Sequence, residues 1–172
     1  LNPLKGEVSS DWAADHEHHR LKLKKAAGIC IHSSISHAPM LGGFVGLGAE
    51  HPDDLQIGFD IEEVERVSAA ATARTANPKD HGLGESTPAL FWSAREAAFK
   101  AYLGDFQPQV VSQIALTEWQ LREHQIYQFK FFASGASAGR GYAWRDGDFQ
   151  FALAFWRPDS QIEKGCRTHS SR

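Results

Sequence analysis

The sequence predicts an α+β protein in which helices pack on antiparallel sheets. Three observations lead there. The last third reads as four consecutive strands joined by short turns, and a run of good helix formers (88–103) precedes them. Before that helix, a hairpin pattern stands ahead of one more strand that alternates apolar and polar side chains. With 172 residues, 42% of them hydrophobic and 23% charged, the chain can bury a proper core as one large domain or two small ones.

Taken in order, residues 1–28 are polar and irregular. The stretch SSDWAADHEHHRLKLKK allows one helix, capped by Ser10 or Asp11, with Lys24 and Lys25 in its last turn and Gly28 as its stop. His16, His18 and His19 with Glu17 admit a zinc reading, but a solvated helix face accounts better for that spacing. Residues 29–37 form a strand, Ala38 and Pro39 a turn, and 42–50 a second strand. After a loop at 51–54 comes QIGFDIE, where Gly58 marks either a close approach by a ligand or a bulge.

Val64, Val67 and Ala71 fall at helical spacing, predicting a helix over 63–76 that Asn77-Pro78 ends. The Gly- and Pro-rich run 77–87 reads as a mobile surface loop. Thr87-Pro88 then opens the main helix, which runs to Leu103. Its residues Leu90, Phe91, Ala94, Ala97, Ala98, Ala101 and Tyr102 should face the core, leaving Trp92, Ser93, Glu96 and Lys100 as a separate stripe. Strands are expected at 112–123, 126–134, 139–145 and 148–156, with Asp146-Gly147 as a hairpin turn. In the last of these, Phe149, Phe151, Leu153 and Phe155 predict one buried face. The polar run from Arg157 onward reads as a disordered tail.

The net charge of −3 excludes a general attraction to nucleic acid or to anionic lipid, so any phosphate must be held locally. No apolar run approaches the ~18 residues of a membrane span, and no secretory segment opens the chain. Cys30 and Cys166 are too few and too unlike in setting for a disulfide framework, which makes a reducing cytoplasm the default expectation. The first residue is Leu1, as in a processed product or a piece of a longer polypeptide.

The chemistry concentrates between Gln56 and Leu103. Asp60 and Glu62 are two apart on a strand, so both point away from Ile57, Phe59 and Ile61, with Cα atoms about 7 Å apart. Glu96 and Lys100 are four apart on a helix and share a face. Taken singly, each pair is better explained as a solvated polar face. Three carboxylates and one lysine on two elements that can pack together would suit a hard divalent cation set against a phosphate.

At these residues the sequence resembles the 4'-phosphopantetheinyl transferase superfamily, in its larger surfactin-synthetase type. The resemblance rests on Gly58, Asp60 and Glu62 in IGFDIE, on Trp92, Ser93, Glu96 and Lys100 in WSAREAAFK, and on Ser36 and His37 in SISHAPMLGG. The motifs lie within 33–103 and occur in the family's order; Arg95 stands where the family usually has lysine, and the first half is shortened. The resemblance implies two unequal, pseudo-related halves. A reduced N-terminal half (1–50) would supply the Ser-His wall, a catalytic half (51–157) would bind the metal, and a flexible tail (158–172) would follow.

It further implies Mg²⁺-dependent transfer of the phosphopantetheinyl arm of coenzyme A to a serine of an acyl or peptidyl carrier protein, releasing adenosine 3',5'-bisphosphate. Asp60, Glu62 and Glu96 would ligate the ion. Glu96 would also act as base, and Lys100 would offset charge on the phosphate and the leaving nucleotide. Ser36, His37 and Arg95 would contact the coenzyme, with Arg20, Lys24 and Lys25 as candidates for its 3'-phosphate. A second copy of the chain, or a parent synthase, could complete the pocket. The shortened first half also admits a non-catalytic carrier-binding module of a larger synthase. A metal-dependent phosphoesterase or nuclease ranks last, for want of a basic surface.

Overall fold

The computed structural model describes residues 5–9, 16–28, 30, 32–82 and 87–158. They form two antiparallel sheets and three α-helices: β1 (Lys5–Ser9), α1 (His16–Ala27), β2 (His32–Ala38), β3 (Leu41–Leu47), β4 (Gln56–Glu63), α2 (Ala69–Arg74), α3 (Pro88–Ala101), β5 (Ala115–Leu121), β6 (Tyr127–Phe132), β7 (Gly139–Asp146) and β8 (Phe149–Trp156). The first sheet runs β1-β3-β2 and the second β4-β8-β7-β6-β5. The α+β expectation is met. The caps Ser10 and Asp11, the side chains of His16, Glu17, His18, His19 and Arg20, and the tail beyond Pro158 lie outside the described residues.

Sequence order explains the second sheet except at one step. Strands β5 to β8 form a meander of neighbouring hairpins, closed between β7 and β8 at Asp146-Gly147, where Gly147 takes a φ of 56°. β4, far earlier in the chain, adds to the outer side of β8 and pairs Asp60 with Ala152. It is therefore an edge strand. Its outward N–H groups find partners across the gap to β2: Phe59 N donates to Ser34 Oγ at 2.8 Å and Ile61 N to Ser36 Oγ at 3.2 Å. Two serine hydroxyls thus join the small sheet to the large one where a backbone ladder would otherwise run.

α3 lies across the second sheet and holds the main core. Ala94, Ala97, Ala98 and Ala101 are each at most 1% exposed and meet Ala143, Ala152, Ala154 and Leu116. Gly58 lies close against the helix, since a Cβ there would sit 1.9 Å from Ala97 O. It answers neither of the two sequence expectations: the approaching group is helix backbone. Phe91 is half-buried at the margin of this core, edge-on to Trp119.

Several expectations need correction. The helix foreseen over 63–76 is a 3-10 turn at Val64–Arg66 and the short α2, because Ser68 caps α2 with its side chain accepting from Ala71 N. β1 falls in a stretch expected to be irregular; its register against Gly42–Gly46 of β3 supplies what its own sequence lacks. In β8 the fully covered face is Gln150, Ala152, Ala154 and Trp156; on the expected face Phe151 is buried, while Phe149, Leu153 and Phe155 stay half-exposed. Small side chains are what allow an alanine-rich helix to lie close. Residues 77–82 are anchored: Asn77 Nδ2 donates to Ser112 O, and Asp80 accepts from Leu116 N and Asn77 N.

Candidate functional site

Three elements converge on one cleft of about 470 Å³. It is lined by Ser36 and His37 of β2, Asp60 and Glu62 of β4, and Trp92, Glu96 and Lys100 of α3, with Ile35 and Lys24 at its margin. The spacings explain the convergence. Trp92, Glu96 and Lys100 recur every four residues along one side of α3, and Asp60 and Glu62 recur every two along the side of β4 that α3 covers. Ser93, expected in the same stripe, is instead fully buried and donates to Leu90 O, one turn back.

Lys100 stands at the centre. Its Nζ donates to Asp60 Oδ1 at 2.7 Å, to Ser36 Oγ at 3.2 Å and to Phe59 O at 3.2 Å. Ser36 Oγ in turn donates to the same Oδ1 at 2.9 Å. Asp60 is 3% exposed, and its Oδ2 is buried without a hydrogen bond. Trp92 Nε1 donates to Glu62 Oε1 at 2.9 Å, which leaves the other Glu62 oxygen to the cleft. Among the described residues Glu96 makes no hydrogen bond.

Burial and the charge on Asp60 push the Glu62 carboxyl up to about 7, against a smaller lowering by the Trp92 hydrogen bond. Glu96 is raised for the same two reasons, burial first, and Lys100 partly offsets the shift. The site is therefore short of positive charge: three carboxylates share one cleft with one engaged ammonium.

Arg95 does not join the cleft. Pointing away from Glu96, it is 2% exposed and pairs with Asp80, the residue that anchors the 77–82 segment. The reason is helical phase: Arg95 shares its face with Phe91 and Pro88, along a separate pocket of about 320 Å³ between α2 and α3. Lys24 is exposed at the cleft margin, whereas Lys25, also exposed, is not part of its lining. Sequence reasoning missed the Trp92–Glu62 bond and the turn of Ser36 toward Asp60. The i, i+4 spacing of Trp92 and Glu96 was the available signal for the first; the second had none.

Among the described residues, no three His, Cys, Asp or Glu side chains close around an ion as they stand. The donor chemistry nevertheless fits a hard divalent cation. Asp60 Oδ2 is a buried acceptor without a partner, and Glu62 and Glu96 face the same space with their charged forms disfavoured. An ion that keeps several of its waters needs only some of these oxygens directly.

Fold and site together define an α+β protein with an acidic cleft, carrying one buried-side ammonium, between a three-stranded and a five-stranded sheet. Compared with known proteins, the chain matches no family model and no curated protein. Among the described residues no helix is long and apolar enough to cross a membrane.

Proposed function

We propose that this chain transfers the 4'-phosphopantetheinyl group of coenzyme A to a serine of an acyl or peptidyl carrier protein. One observation carries the reading: Ser36, His37, Asp60, Glu62, Glu96 and Lys100, which come from three separated motifs, line a single cleft. The serine oxygen attacks the phosphorus on the pantetheine side of the pyrophosphate. A new phosphodiester forms, the bond to the bridging oxygen breaks, and adenosine 3',5'-bisphosphate leaves with that oxygen.

A serine hydroxyl is a weak nucleophile near neutral pH and needs a base within hydrogen-bond reach. Glu96 suits the role: it is half-buried, its basicity is raised by its surroundings, and no hydrogen bond to a described residue holds it. Asp60, Glu62 and Glu96 would hold Mg²⁺, which when bound supplies charge stabilisation to the pyrophosphate oxygens. Trp92 keeps Glu62 oriented into the cleft, and Lys100 contributes the ammonium that the phosphate requires. His37 and Lys24, which also line the cleft, would meet a phosphate of the coenzyme. In this reading the three-stranded and five-stranded sheets would be the two unequal halves, with the break between them in the 48–55 loop.

The test incubates the chain with apo carrier protein, coenzyme A and Mg²⁺ and weighs the carrier by mass spectrometry. One added phosphopantetheine mass is expected, and Glu96→Gln should remove it while the variant stays folded. A Glu96→Gln protein as active as the parent would exclude Glu96 as base and as necessary ligand. An inactive parent that still binds the carrier would favour the carrier-binding module.

A further inference from the structure

We infer that Lys100 is a resident cation that exchanges with the metal: its ammonium holds the ion's place against Asp60 until a divalent cation arrives, and the exchange then releases it toward the substrate phosphate. The inference rests on the proposed metal reading of the cleft. An ammonium has three N–H donors. Those of Lys100 go to Asp60 Oδ1, Ser36 Oγ and Phe59 O, all within the protein. At rest the residue therefore has no donor left for a phosphate, although it lines the cleft where one would bind.

Asp60 explains why the ammonium is there. A carboxylate 3% exposed needs a compensating positive charge, and Lys100 is the cation in contact with it. A divalent ion at Asp60 would carry twice that charge and repel the ammonium at close range. Lys100 can give way: its side chain keeps 29% exposure against 4% for Asp60, on a flexible four-carbon stem. Of the two neutral acceptors it leaves, Ser36 Oγ still accepts from Ile61 N. No proton moves in the exchange, and the ammonium enters the cleft still charged. Metal loading would thus precede the phosphate contact, and a metal-free site would lack its free lysine.

Mn²⁺ binding, measured by calorimetry at pH 8 without coenzyme, tests this in the parent and in Lys100→Met. Removing a competing charge about 4–5 Å from a divalent ion should tighten Mn²⁺ binding at least about tenfold, even at the screening of water. Equal or weaker binding in Lys100→Met would mean that the lysine is a fixed tie between α3 and β4, and would overturn the exchange. A measurement on the parent guards against misfolding of that variant. In protein carrying ¹⁵N-labelled lysine, the Lys100 ammonium resonance, identified by its loss in Lys100→Arg, should shift or vanish as Mg²⁺ saturates. A resonance unmoved at saturation overturns the inference. If neither protein binds an ion, the exchange and the metal reading fall together. Lysine release without any transfer to a carrier would support the exchange and remove only the transferase reading.

Discussion

Gly58→Ala would test how α3 is held over the acidic pair. The new Cβ would stand 1.9 Å from Ala97 O and 2.6 Å from Ala101 N, where real Cβ contacts essentially never fall below 3.0 Å. The helix must retreat by at least about 1.1 Å, because both obstacles are backbone and neither can rotate aside. A gap of that size forfeits a quarter to a half of the dispersion attraction between facing atoms. The alanine row Ala94, Ala97, Ala98 and Ala101 would lose it together against β4 and β8. Overpacking usually costs 1–3 kcal/mol, and a backbone obstacle belongs at or beyond the upper end, so about 3 kcal/mol or more is expected. In a chain of this length that lowers the midpoint of thermal unfolding by roughly 6–12 °C. Urea unfolding would measure the change directly, and the double variant with Ala97→Gly should not recover it, since no side chain is at fault. A Gly58→Ala protein within about 1 kcal/mol of the parent would refute the argument that helix backbone, packed against this one position, sets the width of the cleft.

The other expectations concern charge. Burial raises Glu62 to about 7 and Glu96 in the same direction, so the folded chain holds those protons more tightly than the unfolded chain, where glutamate titrates near 4.5. This stabilisation is complete below pH 4.5 and is lost as pH rises through 7; because Glu62 is only half-buried, screening leaves its share at about 1–2 kcal/mol. In EDTA the melting temperature should therefore fall less between pH 5 and 8 for Glu62→Gln than for the parent, and equal slopes would contradict the shift. Mg²⁺ should raise the parent's melting temperature at pH 8 and leave it unchanged at pH 4.5. Arg95→Met should cost about 3–5 kcal/mol by stranding Asp80, with Mn²⁺ binding in the cleft unaltered; normal stability with a raised KM for coenzyme A would instead make Arg95 a ligand contact.

The amino-acid order by itself determined the strand at Gln56–Glu63, the helix at Pro88–Ala101, and the faces on which Asp60, Glu62, Glu96 and Lys100 lie. Those are consequences of period two and period 3.6, which local chemistry imposes wherever the chain goes. The α+β class followed from the same periods. Only the tertiary structure decided what covers each face. Tertiary packing brought Asp80 to Arg95 across the 77–82 anchor, turned the Ser36 hydroxyl onto Asp60, and set α3 backbone against Gly58. It also gave the alanine face of β8 to the core under α3 and the Phe151 face to a second cluster with Phe59 and Ile61, and paired β1 with β3 despite its polar sequence. Periodicity states which side chains travel together. It carries no record of the partner, because the contact that gives each of these residues its role joins segments whose spacing along the chain obeys no rule.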